Sequence, residues 1–284
     1  MPLHVERQPD ADSFLERAGP FLLEREAEHN LILGLAGRLR TNPRLYGDEP
    51  YFAVVLDDGR VLAAALRTPP HNLLLSEIDE EALVEPLADD AHSAFGKLPG
   101  VQGSSAAVAC FEQLWHERTG ATGTVTLRQR IYRASEARVP TGVPGELRFY
   151  ENDDRQLIVE WMDAFVEEAL PPASPEDAEH WLERRLAETD GGIVLWLDEG
   201  RPVSFASYGA PTPNGIRVGP VYTPPELRRC GYATALVGRM THMLFEGGRR
   251  FCFLYTDLAN PTSNSIYPRV GYEPVTDADL LTFR

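Results

Sequence analysis

The sequence predicts a mixed α/β chain made of two successive sheet units, and three observations carry that expectation. Apolar runs of strand length alternate with segments whose hydrophobic residues recur at helical spacing. A stretch without such periodicity, punctuated by proline and glycine, interrupts them between Ala134 and Gly145. The motif Leu56-Asp57-Asp58-Gly59-Arg60 returns 141 positions later as Leu197-Asp198-Glu199-Gly200-Arg201, each time between two apolar runs. A chain of 284 residues accommodates two domains of about 150 residues each, and the interruption divides them into 1–138 and 146–284.

In the first half, residues 51–55, 61–66 and 73–75 read as strands, the first two joined by the Asp-Asp-Gly hairpin. Ser76 to Glu81 follows, acidic and without glycine. In the second half, 147–150 reads as a strand. Residues 153–170 read as a helix, with Leu157, Ile158, Trp161, Phe165 and Val166 on one face, Asn152 or Asp153 as cap and Pro171-Pro172 as stop. A helix over about 175–188 precedes three strands, 192–197, 202–210 and 215–222. A long helix over 225–245 and a buried strand over 251–256 follow, the order of a parallel crossover. Asn260-Pro261 caps a short helix ending near Tyr267, and 273–283 closes the sheet.

Composition narrows the chemistry. Twenty-seven basic against 43 acidic residues leave a net charge of −16, which opposes nucleic acid and anionic membrane surfaces as partners. Lys97 is the sole lysine, so Schiff-base and Walker-type chemistry have no placed candidate. The three cysteines, Cys110, Cys230 and Cys252, form no CxxC, and the seven histidines show no metal spacing, so no metal is expected. Without an apolar leader or span, a cytoplasmic protein is expected.

The informative segment is Val221-Tyr222-Thr223-Pro224-Pro225-Glu226-Leu227-Arg228-Arg229-Cys230-Gly231-Tyr232-Ala233-Thr234. Small residues stand where a helix begins, so backbone N–H groups can approach an anion that the helix dipole also favours. Gly231 tolerates unusual backbone angles, Ala233 keeps the approach clear, Thr234 adds a hydroxyl, and Arg228 and Arg229 bring positive charge. Just upstream, Pro220 inside a strand implies a bulge, because proline cannot donate to a ladder.

Together, Arg228-x-x-Gly231-x-Ala233, the strand Val218-Gly219-Pro220-Val221-Tyr222 and the downstream run from Asp257 to Tyr272 resemble the GNAT superfamily of acyl-CoA-dependent N-acetyltransferases. The resemblance covers about 148–284. It implies a GNAT-like C-terminal domain with a splayed central sheet, preceded by a degenerate GNAT-like N-terminal domain without a phosphate loop, serving as cleft wall or dimer surface. It also implies acetyl-CoA as co-substrate, bound along Val221 to Thr234, with a free N–H near Val221 or Tyr222 meeting the thioester oxygen. Asn264 would bond the pantetheine, Asn260 would cap the helix beside the cofactor, and Tyr267 would lie beside the sulfur.

The reaction so implied is direct attack of a primary amine, on a small molecule or a peptide, on the acetyl thioester. Tyr267 would return a proton to the thiolate, and Asp257, with Glu167 or Glu168 as alternatives, would take the ammonium proton. Two other readings of the same motifs are a non-catalytic acyl-CoA-binding sensor and a transferase with a longer acyl donor. A homodimer is compatible with each.

Overall fold

The computed structural model of the chain describes residues 3–170 and 177–284. The chain packs into two units, Met1–Arg130 with Thr276–Arg284, and Ile131–Val275. The division falls elsewhere than the expected 1–138 and 146–284, because the last strand gives its C-terminal residues to the first unit. There Ala278, Asp279, Leu280, Leu281 and Thr282 pair with Ser104, Gly103, Gln102, Val101 and Gly100, and Leu281 enters the same apolar cluster as Leu73, Val101 and Trp115.

The first unit runs β1 (His4–Gln8), α1 (Ala11–Glu24), α2 (Asn30–Thr41), β2 (Tyr51–Asp57), β3 (Arg60–Arg67), β4 (Leu73–Leu75), α3 (Val84–Phe95), β5 (Gly100–Ser104), α4 (Ser105–Thr119) and the start of β6 (Gly123–Ala134). Strands β1 to β4 are successively antiparallel, and β4 pairs parallel with β5. Side chains of a strand alternate between faces, and the core follows: Ala53, Val55, Ala63 and Ala65 pack under α3 and α4, while Phe52, Val54, Ala64 and Leu66 pack under α1 and α2.

The second unit repeats this order: β7 (Glu146–Phe149), α5 (Arg155–Ala169), α6 (Ala178–Ala187), β8 (Gly192–Asp198), β9 (Arg201–Gly209), β10 (Gly215–Tyr222), α7 (Tyr232–Glu246), β11 (Phe251–Asp257), α8 (Pro261–Ile266) and the start of β12 (Tyr272–Phe283). Strands β7 to β10 are antiparallel and β10 pairs parallel with β11. The two hairpins match in detail. Asp58 and Gly59, like Glu199 and Gly200, all have positive φ, the signature of a tight hairpin turn that suits strand twist. Each hairpin also shifts register one step before its turn, at Val55/Leu56 and at Trp196/Leu197.

Several element boundaries depart from expectation. The helix expected over 225–245 starts only at Tyr232, after a short 3-10 turn at Pro225–Leu227. Its entry instead follows a loop with left-handed residues at Arg229 and Gly231. Asn152 and Asp153 do not cap α5; a capping box between Glu151 and Asp154 opens the 3-10 turn that leads into it. The stop expected at Pro171-Pro172, and the start of the following helix at Pro175, lie outside the described residues, and α6 is capped by Asp177. Where α7 has its loop, the first unit has an acidic 3-10 turn, Glu81–Leu83, running directly into α3.

Candidate active site

Strand β10 is bulged at the expected place. Val218 pairs with Tyr208 of β9 and Val221 with Ala206, so the extra residue lies at Gly219-Pro220. Ser207 Oγ donates to the Gly219 carbonyl (2.6 Å) and Ser204 Oγ to the Tyr222 carbonyl (2.9 Å), pinning both ends of the bulge. Pairing of β10 with β11 ends at Arg217 and Phe253, although β10 continues to Tyr222 and β11 to Asp257. The sheet is therefore open between these strand ends, at the level from which the loop to α7 departs.

That loop meets the requirements of an anion site. Gly231 is the N-cap of α7 at φ 86° and ψ 0°, and no side chain caps the helix. The first helix bond runs from the Ala235 N–H to the Gly231 carbonyl (2.9 Å), so the amides of Tyr232, Ala233 and Thr234 have no intrahelical acceptor. One segment does cover the loop. A side chain at Gly231 would meet Val143 Cγ2 at 3.1 Å; a methyl group accepts no hydrogen bond, and the amides of Tyr232, Ala233 and Thr234 have no main-chain acceptor among the described residues.

Several expected donor-site side chains have partners within the protein. Arg228 pairs with Glu168 (2.7 Å) and donates to the Thr223 carbonyl (2.8 Å). Thr223 Oγ1 shares a hydrogen bond with Ser204 (2.8 Å). The Tyr232 hydroxyl donates to Asp198 and its ring is buried in the α7 core, so it anchors the helix start rather than facing a ligand. This bond, with burial, pushes the phenol up to about 12. Arg229 and Cys230 are exposed, and Val221 is half-buried. Among the described residues Arg229 has no ion pair.

At the β11 end, Asn260 caps α8 by accepting from the Ser263 N–H (3.1 Å). Asn264 is a tether: Oδ1 accepts from the Thr256 hydroxyl, and Nδ2 donates to the carbonyls of Asp257 (3.1 Å) and Leu258 (3.2 Å). Both its N–H bonds are thus taken, which leaves only one lone pair of Oδ1 for the pantetheine contact expected of it. Asp257 Oδ1 accepts from the Ala259 N–H (2.8 Å), while Oδ2 makes no bond to the described residues. Glu168 has both oxygens engaged, by Arg228 and by the Tyr222 hydroxyl (3.4 Å). Tyr267 is 8 % exposed, between the rings of Tyr132 and Tyr272. Burial pushes its phenol up to about 12, and its hydroxyl has no hydrogen-bond partner among the described residues.

Sequence reasoning missed the covering segment. Residues 138–145 run past α7: the Arg138 N–H donates to the Val270 carbonyl (3.0 Å), and the Trp196 Nε1–H donates to the Pro144 carbonyl (2.9 Å). A side chain at Gly238 would meet the Arg138 carbonyl and the Pro140 ring, each at 2.9 Å. Gly231, Thr234 and Gly238 stack along one helix face, and that row of small residues was the available signal for something passing close by.

The sequence profile of the acetyltransferase (GNAT) family matches residues 155–272, which contain the bulge, the loop and Tyr267. Residues 155–272 belong to the GNAT family of acetyltransferases. Among curated protein sequences none is similar to this chain. Solved structures share its fold. A Drosophila protein is similar over 99 % of this chain and 98 % of its own, at 13 % identity and a TM-score of 0.69. A tandem GNAT protein from the clavulanic acid biosynthesis pathway covers 100 % of this chain and 98 % of its own at 13 % identity and 0.58. A GCN5-related N-acetyltransferase from Kribbella flavida covers 78 % and 86 % at 22 % identity and 0.55. The tandem arrangement accounts for the duplicated element order, with the GNAT loop confined to the second copy. Among the described residues no helix is long and apolar enough to cross a membrane.

Proposed function

We propose that this GNAT chain transfers the acetyl group of acetyl-CoA directly to a primary amine. The observation that carries the reading is the loop at α7: amides of Tyr232, Ala233 and Thr234 without acceptors among the described residues, at a helix N-terminus and next to the open strand ends. Such a terminus suits a diphosphate. The gap beyond Arg217 and Phe253 suits an extended arm leading to the thioester.

Within this reading, the amine nitrogen attacks the thioester carbonyl, the C–N bond forms and the C–S bond breaks. Main-chain N–H groups of Val221 or Tyr222 stabilise the oxyanion, a contribution of about 3 kcal/mol where such donors are preorganised. Tyr267, protonated at neutral pH and with its hydroxyl unpartnered, gives its proton to the departing thiolate. Asp257, whose Oδ2 is unengaged, takes the ammonium proton, directly or through water. Glu168 serves instead as the partner that holds Arg228 beside Thr223. The acceptor is a small-molecule or peptide amine, and the excess of acidic residues favours a cationic one.

Release of free thiol from acetyl-CoA over a panel of amines tests the reading. Amine-dependent release is expected, reduced at least about 100-fold in Asp257→Asn, the lower range for a general base. CoA binding without release by any amine would instead favour a sensor.

A further inference from the structure

In the first unit one histidine is buried with both ring nitrogens bonded. His29 ends the connection between α1 and α2 and is 2 % exposed. Its Nδ1 lies 2.8 Å from the Leu22 carbonyl of α1, a group that only accepts, so Nδ1 carries the hydrogen. Its Nε2 accepts from the main-chain N–H of Glu77 at 2.9 Å. One nitrogen must hold a proton and the other must lack it, which fixes the ring as neutral and in one tautomer. Phe21 of α1 lies against it, ring centroids 5.5 Å apart.

The ring thus joins the connection 25–29 to the turn 76–79 that follows β4. The turn is fixed to the sheet: the Ser76 N–H donates to the Ala64 carbonyl (2.8 Å), Ser76 Oγ accepts from the Ala64 N–H (3.0 Å), and Ile78 is buried in the cluster under α3 and α4. Arg25 and Asp79 also link the two segments (2.9 Å), but both are exposed and such a pair contributes little. A proton on Nε2 would set N–H against N–H at the Glu77 contact and leave a buried charge without an acceptor there. We propose that His29 is an acid-released clasp: protonation of its ring frees the connection 25–29 from the turn 76–79 while the sheet stays paired. Burial is the largest influence on the imidazole and holds it down at about 4, against ~6.5 once the clasp is open. Arg25 on the connection also opposes a charged ring, and Asp79 on the turn favours it. The connection further carries Glu26 and Glu28. Burial raises the Glu77 carboxyl, which therefore gains its proton first in the closed state and opposes opening as pH falls. For His29 the sign is the reverse: closure is complete above about pH 6.5 and is lost as pH falls toward about 4, because the open state binds the proton first.

Amide hydrogen exchange on the full chain at about pH 8 and about pH 5 reads the opening at the Glu77 N–H. Between these the contribution of His29 lowers the closing constant about 30-fold, so the protection of that amide is expected to fall by about that factor while the amides of β2 and β3 keep theirs. His29→Gln retains a donor and an acceptor but takes no proton, and in it the 30-fold component should vanish. An equal fall in both proteins, no fall in the unmodified chain, or a fall shared by β2 and β3 overturns the proposal. If His29→Gln does not fold, nuclear magnetic resonance titration of the ring in the unmodified chain decides: a neutral ring with hydrogen on Nδ1 at about pH 6 supports the clasp, and a ring that titrates near ~6.5 overturns it.

Discussion

Replacing Gly231 by aspartate separates binding from folding. Gly231 sits at φ 86°, where an L-residue costs about 1–2 kcal/mol, and its new Cβ would press on Val143 Cγ2 at 3.1 Å. An isopropyl group on a linker can yield by a few tenths of an ångström. Against this, a carboxylate at a helix N-terminus contributes about 0.3–1 kcal/mol, so the net loss of stability is about 1 kcal/mol. Donor binding responds differently. A unit charge about 5 Å from a phosphate feels about 3 kcal/mol at an effective dielectric of about 20, and about 1 kcal/mol where water screens it further. The expected rise in Kd for CoA is therefore about 5- to 150-fold. Calorimetric titration of wild type, Gly231→Asp and Gly231→Ala reads it; the alanine variant shares the backbone strain without the charge and should lose less. Equal affinity of the aspartate variant and wild type would refute the placement of the diphosphate at α7.

Gly238→Ala adds helix propensity worth about 1 kcal/mol, yet its Cβ lands 2.9 Å from the Arg138 carbonyl and the Pro140 ring. Overpacking of about 1–3 kcal/mol prevails, and a denaturant midpoint below wild type is expected; a higher one would mean that the linker is not held there. Asn264→Ala removes the partner of the buried Thr256 hydroxyl and frees the Asp257 and Leu258 carbonyls, a loss of about 1–3 kcal/mol measurable by chemical denaturation; unchanged stability would contradict the tether. Burial holds both Tyr267 and Cys252 up at about 12, against ~10 and ~8.5 when unfolded. Both groups are neutral in the fold, and the unfolded chain releases its protons first. Stability is therefore full below about pH 8.5 and lost as pH rises toward about 12. Tyr267→Phe should flatten part of that decline between pH 10 and 12, and an identical decline in both proteins would count against it.

Local physics was legible in the residues themselves. Apolar runs placed β2, β3, β8, β9 and β10 to within a residue or two, because strands covered on both faces carry near-continuous hydrophobic sequence. Pro220 announced the bulge and Asn260-Pro261 the start of α8, since each rests on a backbone property of proline. The recurring Asp-Asp-Gly and Asp-Glu-Gly hairpins revealed a duplication that the element order then extended to both halves.

What neighbours what was decided only by the tertiary structure. A strand pattern names its faces but not its partner, so nothing in 273–283 said that its later residues pair with Gly100–Ser104 of the first unit. Arginine 228 reads as an anion ligand in sequence and is found paired with Glu168. Asn264 reads as a ligand contact and is found tying down the end of β11. The linker read as a spacer because it lacks periodicity, and it is found fitted against Gly231 and Gly238. Hydrophobic period and turn chemistry are local quantities fixed along the chain, whereas the pairing of strands, ions and close-packed surfaces depends on which distant segments burial brings together.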